Sequence, residues 1–252
     1  MTARCVLALD TATLTASAAV VRLAPGLAPD VLAAADAETG SRSERLMPLI
    51  VDIMTRAGTA IADVDAIAVG AGPGSFTGLR VGLATAKGLA FAVGKPLWLV
   101  SSLAALAWSM RDAAGALWVP VLDARRGELY AGFYRGDADG VPRAVAPERV
   151  LPPGELAAAI AAALGDGAAG DDGGGVAIAG DALVVHAAAL AALPPSVRRH
   201  GGRTTPSAVG VAVLAAAGDR ADGLALGAPA YLRPSEAEVM YPDGVPGALR
   251  KR

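Results

Sequence analysis

Two aspartates stand where short apolar runs end, Asp10 after Cys5–Leu9 and Asp123 after Leu117–Leu122. A carboxylate at such a bend can organise a metal–nucleotide complex, and Asp also favours turns simply to cap its own backbone. Between them lies Gly72-Pro73-Gly74-Ser75-Phe76-Thr77-Gly78-Leu79-Arg80. A glycine loop that opens a helix can cradle phosphate with its backbone N–H groups. No Gly-Lys-Ser/Thr follows, and Lys87 lies too far along, so this is not a Walker A loop. A tight strand–helix connector is the plainer reading. The two histidines, His186 and His200, show no His-x-x-x-His spacing and no Cys/His cluster accompanies them, so no metal site is expected. No Gly-x-Ser-x-Gly elbow offers a nucleophile. Cys5 cannot form an internal disulfide, which suits a reducing cytosol, and it reads as a small buried hydrophobe.

These residues need elements to hold them. Thr15–Leu23 reads as a strand returning from the Asp10 turn, and Leu129–Tyr134 as one returning from Asp123. The strand–Asp–turn–strand pattern therefore occurs twice, which suggests two related halves. Ser43–Ala57 reads as a helix with Ser41 or Ser43 as cap and Gly58 past its end. Pro48 argues for a start nearer Glu44 or Arg45. Val64–Gly70 reads as a strand, Ser75 caps a helix to about Val93, and Gly94 ends it. Pro96–Val100 is a strand, and Ser101-Ser102 cap a helix to about Arg111. Later come a helix over Glu155–Leu164, a flexible loop over Gly165–Gly175, a strand over Val176–Ala179, and a helix over Thr205–Ala217 with Pro206 at its first position. The alternation is that of an α/β chain.

Two helices carry more apolar surface than one core needs. Plotted at ~100° per residue, Leu46, Met47, Leu49, Ile50, Val51, Ile53, Met54 and Ala57 cover roughly 200° of arc. A helix facing one core needs only about 100°. The surplus predicts a second buried face against another subunit, with Met47 and Met54 as adaptable contacts. On the next helix Gly78, Gly82, Ala86 and Ala90 recur every four residues along one face. Glycines inside a helix cost roughly 1 kcal/mol each against alanine, so close packing should offset them. That packing could be against a partner helix or against the chain's own sheet.

The totals narrow the class. The 252 residues suit one domain or two small lobes. A formal net charge of -2 gives no field that favours nucleic acid, and the basic end Arg250-Lys251-Arg252 reads as a solvated tail. Mean hydropathy is +0.46, yet the charge-free stretches Pro96–Met110 and Ala182–Val197 fall short of the ~20 residues a spanning helix needs. No signal-peptide layout opens the chain. A soluble, cytoplasmic protein without membrane contact is expected.

Five segments resemble the TsaB (YeaZ) family: Leu7–Thr13, Ser43–Pro48, Gly70–Arg80, Asp123–Tyr130 and Pro229–Arg233. The Gly-Pro-Gly-Ser-Phe-Thr-Gly block is the most specific of them. The resemblance implies the actin/Hsp70/sugar-kinase (ASKHA) fold of two related lobes, the second reduced. The first lobe is expected over 1–102 and the second over 103–252, with 205–233 packing back on the first. The resemblance also implies a non-catalytic subunit of tRNA threonylcarbamoyladenosine synthesis. Such a subunit binds and activates the transferase TsaD, joined by the ATPase TsaE, and meets tRNA only indirectly. It could form a homodimer when alone. In TsaD-like catalysts a His-x-x-x-His pair holds the metal; here the comparable helix, around Arg42–Pro48, has no histidine, a departure even from many TsaB relatives. The partner interface carried over from the family comprises Leu46, Leu49, Ile50, Ile53, Met54, Gly78, Gly82, Ala86 and Ala90. Asp10, Thr11 and Asp123 become the candidates for a vestigial nucleotide site, with ATP or ADP at the subunit boundary as the conceivable ligand. An active ATPase or small-molecule kinase of the same fold is the competing expectation. Older glycoprotease and peptidase M22 labels in this superfamily find no protease site here.

Overall fold

The computed structural model describes residues 3–38, 42–113, 115–165, 175–218 and 222–232, with backbone alone for 42–44. The expected Ser41 and Ser43 caps, most of the Gly165–Gly175 loop, Arg233 and the basic end lie outside the described side chains.

Two five-stranded sheets carry the same topology. In the first, β1 (Arg4–Asp10), β2 (Thr15–Leu23) and β3 (Asp30–Glu38) form an antiparallel meander, and β4 (Ala66–Gly70) and β5 (Leu97–Val100) extend it in parallel beyond β1. In the second, β6 (Leu117–Arg125), β7 (Glu128–Gly136) and β8 (Pro142–Leu151) form the meander, and β9 (Val176–Ala179) and β10 (Val197–Arg199) extend it. Asp10 and Asp123 thus occupy equivalent ends of equivalent strands, and the repeated pattern in the sequence is an internal duplication of structure.

Helices cover both faces of each sheet. On the first, α1 (Arg42–Arg56) and α2 (Phe76–Val93) bury Leu46, Ile53, Leu83 and Ala86 against Leu7, Leu9, Ile67 and Val69. The opposite face is closed by α6 (Ala208–Ala217), whose Val211 and Ala212 meet Val6, Ala8 and Trp98. On the second sheet, α3 (Ser102–Trp108) covers one face, while α4 (Leu156–Leu164) and α5 (Ala182–Val185) cover the other. The two crossing helices are exchanged: α3 follows the first sheet and packs on the second, and α6 follows the second and packs on the first. The reduction of the second half lies in its helices. The 18-residue α2 has as its counterpart the four-residue α5 and a short 3-10 turn.

Local rules explain most boundaries. The Ser75 hydroxyl caps α2 by accepting from Gly78 N–H, and Gly94, in the left-handed region at φ 64°, ends it. The Ser101 hydroxyl caps α3 by accepting from Ala104 N–H. Three expectations need correction. The first helix begins at Arg42 and carries Pro48 in its interior, on the exposed side where water can satisfy the backbone. The helix expected from Thr205 begins at Ala208, so Pro206 precedes the cap residue Ser207 instead of opening the helix. By length and composition α2 is apolar enough to cross a membrane, although the charge-free runs in the sequence lay elsewhere. Its residues Leu79, Leu83, Ala86 and Ala90 are buried inside the chain.

The small-residue stripe of α2 turns inward. A Cβ at Gly78 would overlap the Thr11 carbonyl oxygen, and one at Gly82 would overlap the Thr11 hydroxyl. Gly78→Ala is expected to lower stability by about 1–3 kcal/mol, as overpacking does. Gly88, whose Cβ position opens on empty space, should gain up to about 1 kcal/mol as alanine. Urea unfolding of both variants checks this, and equal midpoints for the two would contradict it.

Candidate functional site

Two concave features stand out among the described residues. The first is a cleft of about 770 Å³ between the two halves. Its walls come from the two equivalent turns, with Ala12 and Thr13 after β1 and Asp123 and Arg125 at the end of β6, together with Arg80 and Tyr231. The second is an apolar groove of about 450 Å³ on the outer side of α1, lined by Met47, Ile50, Val51, Met54, Ile61 and Leu89.

The cleft does not gather the three candidate nucleotide residues. Asp10 is 1% exposed and turns away from it. One carboxylate oxygen accepts from Ala12 N–H at 2.8 Å, and the other accepts from the Ser102 hydroxyl at 2.7 Å. Gly70 leaves the room that this carboxylate fills. Burial pushes the Asp10 carboxyl up to about 6, against the pull of these hydrogen bonds and of the Arg203 charge. Thr11 is equally buried, and its hydroxyl donates to the Gly78 carbonyl at 2.7 Å. Both residues dock helices on β1. Asp123 alone reaches the cleft. Its carboxylate accepts from Arg125 N–H at 3.0 Å, pairs with the Arg125 guanidinium at 3.3 Å, and lies 3.2 Å from His186 Nε2. Its own N–H donates to Asp181, whose carboxyl is raised by burial first and by the Asp123 charge as well.

The glycine loop is a connector. Gly72 N–H donates to the Ser102 hydroxyl, Ser75 N–H to the Ala12 carbonyl, and Gly78 N–H to the Ser75 hydroxyl. Beyond it, the Arg80 guanidinium lies 3.8 Å from the centre of the Phe76 ring and donates to the Tyr231 hydroxyl at 3.1 Å. That contact ties the segment 222–232, which bonds the edge strand β5 at Leu97 and then Ala71 just after β4, to the first turns of α2. Cys5 is half-buried, and burial raises its thiol.

All nine residues carried over to a partner interface are turned into the chain's own core. Leu46 (1% exposed), Leu49, Ile50, Ile53, Met54, Ala86 and Ala90 pack between helices and sheet. Gly78 and Gly82 are buried against Thr11. Ile50 and Met54 also form part of the groove wall. The outward large apolar positions of α1 and α2 are Met47 (43% exposed), Val51 (59%), Phe76 (37%) and Phe91 (79%). Met47 and Val51 stand four residues apart on the far edge of the wide apolar arc.

Comparison with known proteins fits this geometry. The family model for TsaD, tRNA N6-adenosine threonylcarbamoyltransferase, matches residues 25–169, more than half of the chain. TsaB of Escherichia coli is 40% identical over 114 residues, 44% of this chain and 48% of that protein. TsaB of Bacillus subtilis is 40% identical over 95 residues, 38% of this chain and 41% of that protein. The chain thus spans about half the length of the curated relatives it matches. The solved structure of YeaZ from Pseudomonas aeruginosa superposes with a TM-score of 0.70 at 30% identity, covering 91% of this chain and all of that one. Two sheets of one topology with exchanged helices, together with these matches, define an ASKHA-fold protein. Within that class the chain belongs to the TsaB (YeaZ) family.

The Asp10 carboxyl supplies a test of its buried role. Its folded-state value is raised, so the stability it contributes is full below the ordinary value of 3.8 and is lost as pH rises through about 6. At neutral pH the loss amounts to roughly 3 kcal/mol. Asp10→Asn is therefore expected to raise the melting temperature at pH 7 and to lose that advantage near pH 4. A variant that melts lower than the parent by the same margin at both pH values would refute the assignment.

Proposed function

We propose that this chain is a non-catalytic subunit for tRNA threonylcarbamoyladenosine synthesis, which binds TsaD through the outer face of α1 and α2 and activates it together with TsaE. The observation that carries the reading is the apolar groove beside Met47 and Val51 in a chain of the TsaB family. Isolated exposed apolar residues are ordinary, but a contiguous apolar face on paired helices is the usual mark of a docking surface. A specific interface buries about 800 Å² on each partner, more than one groove supplies. Ala84, Gly88 and Phe91 are exposed on the outer side of α2. Gly88 has open space above it, so a partner backbone can approach there. In this reading the same face supports a homodimer when TsaD is absent, tRNA meets the chain only indirectly, and the complex works in the cytoplasm. A nucleotide at the subunit boundary is compatible with it.

The competing ATPase or kinase reading needs Asp10 and Asp123 to share a metal–nucleotide complex. Asp10 is committed to Ser102 and Ala12, which favours the subunit reading.

Mixing the purified chain with TsaD and measuring mass by light scattering tests the proposal. A heterodimer is expected. Val51→Asp should weaken it at least tenfold, about 1.4 kcal/mol, while Leu27→Asp in the exposed β2–β3 loop should not. No complex between two folded proteins, or equal binding by both variants, would overturn it. The chain without TsaD is expected to leave tRNA unmodified.

A further inference from the structure

The chain crosses between the halves twice, and each crossover is anchored on both sides. At the first, the adjacent residues Ser101 and Ser102 are held from opposite lobes. The Ser101 hydroxyl donates to Glu148 on β8, and the same carboxylate oxygen accepts the Tyr134 hydroxyl from β7. The Ser102 hydroxyl donates to Asp10 on β1 and accepts from Gly72 N–H. At the second, His200 Nε2 lies 2.7 Å from Asp112, which follows α3 on the second lobe. Three residues on, Arg203 donates to Asp36 on β3 at 2.7 Å, and Ala208 N–H donates to the Ser17 hydroxyl on β2 at 3.0 Å. Between the crossovers α3 and α6 lie in backbone contact, because a Cβ at Gly210 would stand 2.7 Å from the Ala105 carbonyl oxygen.

Closure of a two-lobed protein requires a few crossover residues to absorb large changes in φ and ψ. Here rotation at Ser101 or Ser102 breaks a bond to one lobe or the other. Charge-assisted bonds from two hydroxyls to one carboxylate are stronger than neutral ones. Tyr134 is buried, and burial together with the Glu148 charge holds its hydroxyl well above the ordinary range, so it remains a donor. We propose that the two lobes are clamped as one rigid body, with Glu148 as the positioning residue that fixes their spacing, and that the cleft between them does not close on a ligand. The clamp is independent of the TsaD reading, since none of its residues belongs to the outer face of α1.

Distance measurement by electron–electron double resonance tests this on the full chain. Cys5→Ala removes the native thiol, and nitroxides at Leu14→Cys and Val184→Cys stand on opposite lips of the cleft, at positions 55% and 74% exposed. The parent is expected to give one narrow distance that Mg²⁺–ATP leaves unchanged. Glu148→Ala should broaden the distribution about twofold by freeing a hinge, and Tyr134→Phe, which keeps the ring, should broaden it less. Two distances in the parent, or a shift on adding Mg²⁺–ATP, would overturn the clamp. So would folded Glu148→Ala with the parent's width. Should Glu148→Ala fail to fold, Tyr134→Phe decides alone, an unchanged width counting against the clamp.

Discussion

The distance between α2 and the first sheet is set by one residue, Thr11. Its carbonyl and hydroxyl oxygens occupy the space where side chains at Gly78 and Gly82 would stand, and its hydroxyl donates to the Gly78 carbonyl. A helix can approach a turn this closely only without Cβ atoms. The approach brings Ser75 within reach of the Ala12 carbonyl and leaves Asp10 enclosed beneath the loop. It also settles which side of α2 faces outward. The glycine stripe is consumed within the chain, and the exposed side of α2 carries Ala84, Gly88, Phe91 and Ala92 instead.

The same inward turn reassigns the two aspartates. They are equivalent by topology and opposite in environment. Asp10 sits under Gly70 with both oxygens bonded to the protein. Asp123 stays at the cleft with Arg125 and His186 beside it. A duplicated turn that in principle could grip one ligand from two sides is thus divided: one copy became a structural joint, and the other kept polar access to the cleft.

Much of this was legible in the sequence where local rules decide. The Ser75 cap, the Gly94 stop and the repeated strand–Asp–turn pattern were readable because capping and turn chemistry act over a few residues. β3, β8 and β10 gave no clear period. β8 is an edge strand with Arg143, Pro147 and Arg149 exposed, and its apolar positions do not alternate cleanly. The width of the apolar arc on α1 was also readable, and its outer edge, Met47 and Val51, is left exposed. Which half of that arc faces the sheet depends on how α1 rotates over β2 and β3, and no local pattern encodes a rotation. The inward use of Gly78 and Gly82 was left open for a related reason: a stripe of small residues records close approach without naming what approaches.

The exchanged helices bear on how the molecule is made. Strands β1, β2, β4 and β5 emerge from the ribosome long before α6, the helix that covers one of their faces. Until Val211 and Ala212 are synthesised, Val6, Ala8 and Trp98 lack the helix that covers most of their face. Long-range closure of this kind slows folding and leaves apolar surface open to chaperones and to aggregation. A fragment cut between the halves would inherit the same bare face permanently. The two lobes repeat one topology, yet each is covered in part by a helix that the other's stretch of chain leads into.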